Sequence, residues 1–85
     1  MTRRTVVWVS SAEAELAEIW LASASRELVT SATYAIDQAL ARDAESAGNP
    51  LAEGLRAFDS PPLRVLFEIL DDDRLVRVLK VKQIG

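Results

Sequence analysis

Apolar residues are densest between Pro62 and Val81, where the runs Leu63 to Leu70 and Leu75 to Val81 flank the polar stretch Asp71-Asp72-Asp73-Arg74. Val, Leu, Ile and Phe suit extended backbone and aspartates suit turns, so the pattern predicts two strands joined by a tight acidic turn. Setting Asp71 across from Arg74 pairs Ile69 with Val76 and Phe67 with Val78 on one face. It sets Glu68 opposite Arg77 on the other face, and opposite charges favour that register. The second face then carries Arg64, Leu66, Leu70, Leu75, Leu79 and Val81, too apolar a set to be left in water. Either the chain or a partner must cover it, and Leu66, Leu70, Leu75, Arg77 and Leu79 are the candidate partner-binding residues.

Upstream, the apolar residues of Thr5 to Val9 do not alternate with polar ones, which predicts a strand buried on both faces. Ser10-Ser11-Ala12-Glu13 reads as a capping box opening a helix to about Ser25, with Leu16, Ile19, Trp20 and Ser23 on its inward stripe. A second helix is predicted from about Glu27 to Ala47, with Leu28, Val29, Ala32, Ile36, Ala39 and Leu40 inward, ended by Gly48-Asn49-Pro50. Two amphipathic helices with so short a link should form an antiparallel hairpin. Leu51 to Asp59 is interrupted by Gly54, and Leu55, Arg56 and Ala57 predict a short strand, after which Ser60-Pro61-Pro62 turns the chain into the main hairpin. The fold class is therefore α+β: an N-terminal strand, a helical hairpin, then a three-stranded antiparallel meander (β-α-α-β-β-β), with the helices packed on one sheet face.

Eighty-five residues make a single domain, 1–85, with a small core, so a partner could contribute to its stability. Cysteine and histidine are both absent, which removes disulfides, thiolate and imidazole metal ligands, and every Ser-His or Cys-His nucleophile. Glycine-rich phosphate loops and calcium-loop patterns are missing too, and Asp71-Asp72-Asp73 reads as a solvated turn, so neither cofactor nor metal is expected. No apolar run approaches the roughly 20 residues a bilayer requires, and no secretory signal is visible, so no membrane association and a cytoplasmic location are expected.

The net charge of −3 argues against a free-standing nucleic-acid binder, yet the charge is uneven. Residues 1–50 carry four basic and seven acidic side chains, whereas 51–85 carry six of each. Arg64 precedes the Val65-Leu66-Phe67 strand core and points away from Phe67. Arg77 shares its face, Arg56 is placed on the neighbouring strand, and Lys80 and Lys82 start on the opposite face and would have to reach around the end of the sheet. Guanidinium and ammonium groups so gathered can hold phosphate and stabilise a phosphorane-like transition state without histidine. Arg64, Arg56, Lys80 and Lys82 are accordingly the candidate catalytic residues, weighed against ordinary ion pairing such as Arg77 with Glu68. Trp8 and Trp20 are expected in the core, and Tyr34 as a packing or rim residue.

The chain resembles the RelE/ParE superfamily of bacterial type II toxins in several motifs taken in order. These are the opening strand followed by SAEAELAEIW, the second helix with Ile36-Asp37 and Leu40, the Gly48-Asn49-Pro50 break, and PLRVLFEI followed by an acidic turn and LVRVLKV. The resemblance implies a small toxin encoded beside a cognate antitoxin that wraps and neutralises it, with a homodimer left open. It implies ribosome-dependent mRNA cleavage or, as the alternative, non-enzymatic inhibition of DNA gyrase or a degenerate member that only binds an antitoxin. Arg64 is similar in position to an arginine that contacts mRNA in RelE-type ribonucleases. The lysines usual ahead of it are replaced here by Arg56 alone, and the basic and aromatic tail usual after the last strand is replaced by Gln83-Ile84-Gly85.

Overall fold

The structure, a computed structural model, describes residues 3–70 and 74–84. The expected acidic turn at Asp71, Asp72 and Asp73 lies outside the described residues. The elements are β1 (Thr5–Trp8), α1 (Ser10–Ala22), α2 (Arg26–Ala47), β2 (Asn49–Ala52), β3 (Leu55–Ser60), β4 (Leu63–Leu70) and β5 (Leu75–Gln83). One five-stranded sheet has the order β1-β5-β4-β3-β2. β1 runs parallel to β5 and the other neighbours are antiparallel. Parallel neighbours cannot be joined by a tight turn, so the helices and the meander together form the crossover between β1 and β5.

Both helices lie on one sheet face, as the α+β reading requires. The core between the layers holds Val29, Ala32, Ile36 and Leu40 of α2 against Leu63, Val65 and Phe67 of β4 and Val76, Val78 and Val81 of β5. The predicted hairpin register is observed: Phe67 pairs with Val78, Glu68 with Arg77 and Ile69 with Val76. Phe67 is fully buried, and a Cβ placed on Gly48 would overlap its ring, so a residue without a side chain is needed where α2 hands over to β2. α2 reaches that point through a break at Asp43 (φ −158°, ψ 71°). The Asp43 carboxylate accepts from the Ser46 N–H at 3.3 Å and caps a final turn.

Several expectations are corrected. β1 is an edge strand with Thr5 and Val7 exposed and Val6 and Trp8 half-buried, so only one of its faces is covered. α1 ends at Ala22, before Ser25, and its N-cap is Val9 without a side-chain cap, so the Ser10–Glu13 box does not form. Leu28 is exposed on α2, away from the core. The short strand expected around Leu55 to Ala57 is observed as β3, and a further strand, β2, precedes it because Gly54 (φ 76°) adopts a left-handed conformation and turns β2 into β3.

The correction with most consequence is in β5. The register shifts between Leu66 and Phe67, so that Leu66 pairs with Lys80 while Phe67 pairs with Val78, leaving Leu79 as an extra residue. Such a bulge reverses the inside–outside alternation beyond it. Val81, expected on the outer face, instead pairs with Val65 and is buried in the core. Lys80 and Lys82, expected on the face opposite Arg64, pair with Leu66 and Arg64 and so share Arg64's face.

Candidate functional site: the open sheet face and a groove between the helices

The sheet face turned away from the helices presents an apolar floor with charged residues at one end. Leu66 and Leu70 of β4 and Leu75 and Leu79 of β5 are all half-buried, and Ala57, paired with Leu66, is buried among its neighbours. Arg4 is held on the helical side, its N–H donating to the Ala41 carbonyl at 3.0 Å and its guanidinium meeting Glu45 at 2.8 Å. Ile84 continues the β4–β5 ladder, donating to the Pro62 carbonyl. Among the described residues, then, neither terminal segment folds across the leucine floor.

The cations at this face are matched by carboxylates. Arg64 makes a two-pronged pair with Asp59 on β3, Nε to Oδ1 at 2.6 Å and a terminal nitrogen to Oδ2 at 2.9 Å. Its hydrogen bond holds the Asp59 carboxyl below the ordinary aspartate range, helped by the positive charges of Arg64 and Lys82, and the same contact raises the Arg64 guanidinium. Lys80 donates to Glu15 of α1 at 2.7 Å, and Arg77 is paired with Glu68 across the hairpin. Arg56, expected beside Arg64, lies on the other side of the sheet: it pairs with Phe67 on the core-facing side and donates to the Glu45 carbonyl of α2 at 3.2 Å. The structure therefore sets Lys82 opposite Arg64 and Lys80 on the same strand face with its ammonium drawn to Glu15, and it separates Arg56 from them. Among the described residues no cluster of three or more His, Cys, Asp or Glu side chains is placed to hold a metal ion. No helix of the described residues is long and apolar enough to cross a membrane.

A second concave surface went unread in the sequence. α1 and α2 leave between them a groove of about 740 Å³, walled by Trp8, Leu16, Trp20, Val29 and Tyr34 with Asp37 at its edge. Trp8 remains half-buried against the core, and its indole N–H donates to Asp37 at 2.8 Å. Trp20, expected in the core, is 40% exposed, and Tyr34 is 67% exposed. The Arg26 guanidinium stacks 4.8 Å over the Trp20 ring and donates to the Trp20 and Leu21 carbonyls, closing the C-terminal end of α1. The clue available in the sequence was the gathering of both tryptophans and the single tyrosine on the two helices and the strand before them.

No protein-family model matches the chain, and no curated protein sequence matches it. Solved structures do. The toxin–antitoxin complex RelBE2 of Mycobacterium tuberculosis contains a chain with a TM-score of 0.82 at 21% identity, covering 98% of this chain and 93% of that one. The chromosomal ParDE system of P. aeruginosa matches with a TM-score of 0.73 at 18% identity over 98% of both chains. The isolated RelE toxin of E. coli matches with a TM-score of 0.62 at 14% identity, covering 96% of this chain and 85% of that one. The chain thus has the fold of RelE and ParE toxins over nearly its whole length, in agreement with the sequence resemblance.

Proposed function

We propose that this chain is the toxin of a type II toxin–antitoxin pair and that it acts by binding a protein target, with no cleavage of RNA. The shared fold with structures of toxin–antitoxin systems supports the first half. The observation that carries the second half is the pairing of Arg64 with Asp59. Asp59 occupies the Nε edge of the Arg64 guanidinium, so a phosphodiester there would meet a carboxylate at close range and only the remaining terminal N–H groups, and Glu15 likewise offsets Lys80. Exposed pairs of this kind are weak and can open, but the carboxylates stay nearby and lower the field that would draw in RNA. In this reading the cognate antitoxin would take the leucine floor, since Leu66, Leu70, Leu75 and Leu79 with the Arg77–Glu68 pair offer an apolar centre and a charged rim. DNA gyrase is the target class that this non-enzymatic reading takes up.

One observation favours RNA cleavage: the β5 bulge turns Lys80 and Lys82 onto Arg64's face. In that reading Arg64 binds phosphate once Asp59 has moved, Lys80 and Lys82 neutralise the developing charge, and Arg56 takes no part because it faces α2. Expression of the chain without the product of its neighbouring open reading frame separates the two. The binding reading expects growth arrest that persists in Arg64→Ala, with DNA cleavage complexes and no new mRNA ends on ribosomes. New mRNA ends that disappear in Arg64→Ala would replace it with the nuclease reading.

A further inference from the structure

β1 lies beside only the first part of β5, its ladder closing where the Val9 N–H donates to the Val78 carbonyl at 3.0 Å. β5 continues to Gln83, so beyond Val78 its edge has lost its strand neighbour on that side. This stretch is also where the bulge falls. The alternation of ladder bonds can be followed from the Ile84 N–H to Pro62 carbonyl bond at 2.7 Å. Counting back, Val81 and Val65 form a non-hydrogen-bonded pair, so the Val81 N–H points away from β4 and out from the sheet edge.

Glu15 of α1 meets that orphan donor. Its Oε1 accepts from the Val81 N–H at 3.1 Å, and its Oε2 accepts from the Lys80 ammonium at 2.7 Å. One carboxylate therefore grips two consecutive residues directly after the extra residue Leu79. Its carboxyl is held below the ordinary glutamate range by Lys80 first and the Val81 amide second, so it is charged at neutral pH. The apolar spacing Val76, Val78, Val81 already favours the bulged register, since an unbroken ladder would turn Lys80 towards the core and Val81 out to water.

We infer that Glu15 is a positioning residue for the open face: by clamping the Val81 amide and the Lys80 ammonium it locks the bulged register of β5. Lys82 is thereby fixed beside Arg64, and Lys80 on the same strand face beside Leu66. The clamp is independent of which target the chain takes, because it acts on strand register alone. Its failure would leave both readings of the function standing.

The test uses the whole chain and compares Glu15→Ala and Glu15→Gln with Glu18→Ala, which removes the same charge from an exposed position of the same helix. Hydrogen exchange of the Val81 amide and the cross-strand nuclear Overhauser contact between Leu66 and Lys80 are the readouts. Glu15→Ala should speed Val81 exchange about tenfold or more, as expected for loss of a bond to a charged acceptor, and should weaken the Leu66–Lys80 contact. The amides of Val29 and Ile36 should keep their wild-type protection, which separates local release from general destabilisation. Glu15→Gln retains an acceptor oxygen and should fall between Glu15→Ala and wild type. Val81 exchange in Glu15→Ala within about twofold of that in Glu18→Ala would overturn the inference. So would faster exchange with the Leu66–Lys80 contact intact, because the strand would then hold its register unaided.

Discussion

The two faces of the sheet use the same strands differently. Towards the helices, Leu63, Val65, Phe67, Val76 and Val78 are fully buried, and among the described residues no buried side-chain polar atom lacks a partner. Towards solvent, Leu66, Leu70, Leu75 and Leu79 are only half-buried and sit among ion pairs. One face holds the molecule together, and the other leaves its apolar area half-exposed. Substitutions should therefore divide by the parity of their position, with the parity reversing at Leu79.

The largest effect should come from Phe67→Ala, which empties the centre of the helix-facing layer. Truncation of a fully buried phenylalanine costs about 3 to 5 kcal/mol, a large fraction of what a domain of this size has. Denaturant unfolding measures it directly, and a loss well below about 1 kcal/mol would mean that the faces do not differ as described. Gly48→Ala tests the same layer from the other side. Its new methyl group would overlap the Phe67 ring, and overpacking of that kind costs about 1 to 3 kcal/mol. Relief of that cost in the double variant Gly48→Ala with Phe67→Leu would tie it to this contact.

The open face should respond in the opposite way. Leu70→Ala removes a half-buried side chain and should change stability by less than about 1 kcal/mol. If an antitoxin seats on this floor, the same substitution should weaken its binding about tenfold or more, equivalent to about 1.4 kcal/mol. Titration calorimetry with the partner alongside unfolding of the free chain reads both quantities. A variant that unfolds readily yet binds normally would reverse the roles given to the two faces.

The sequence made most of this division legible, for a physical reason. The Glu68–Arg77 pair and the apolar run between Phe67 and Val78 allow only one register near the turn, so the hairpin and its core face could be read correctly. Past Leu66 the reading assumed an unbroken period of two. The spacing of Val78, Lys80 and Val81 favours a bulge, since an unbroken strand would turn Lys80 inward and Val81 out to water, and the edge contact with Glu15, distant in sequence, adds to that preference. Arg56 follows Gly54 in a segment whose apolar periodicity is too short to set its face, and one residue of register turns it to the side of Phe67. Trp20 was assigned to the core because an amphipathic stripe marks the side a helix turns inward. It does not reveal whether the next helix closes over that side, and here α2 leaves a groove.

The smallest expected effect lies in the charges of the open face, and it bears most directly on function. Asp59 carries a carboxyl held below its ordinary value by Arg64 and then Lys82, so its pairing contributes stability above the unfolded aspartate pKa of about 3.9. That contribution is lost as the pH falls through the lower folded value. Asp59→Asn should therefore be slightly less stable than wild type at neutral pH, and the two should converge in strong acid. Since both partners are exposed, the difference should be small and should shrink further in high salt, whereas the cost of Phe67→Ala should not. A gap that widens on acidification would contradict the pairing. The same variant leaves Arg64 and Lys82 without their carboxylate, which gives the chain a more positive face without disturbing the core. If the open face serves only protein partners, Asp59→Asn should leave toxicity near the wild-type level and produce no new mRNA ends. If RNA is the substrate, releasing Arg64 should strengthen RNA binding, most visibly at low salt, so the sign of this one change separates the two readings where the wild-type structure holds them close.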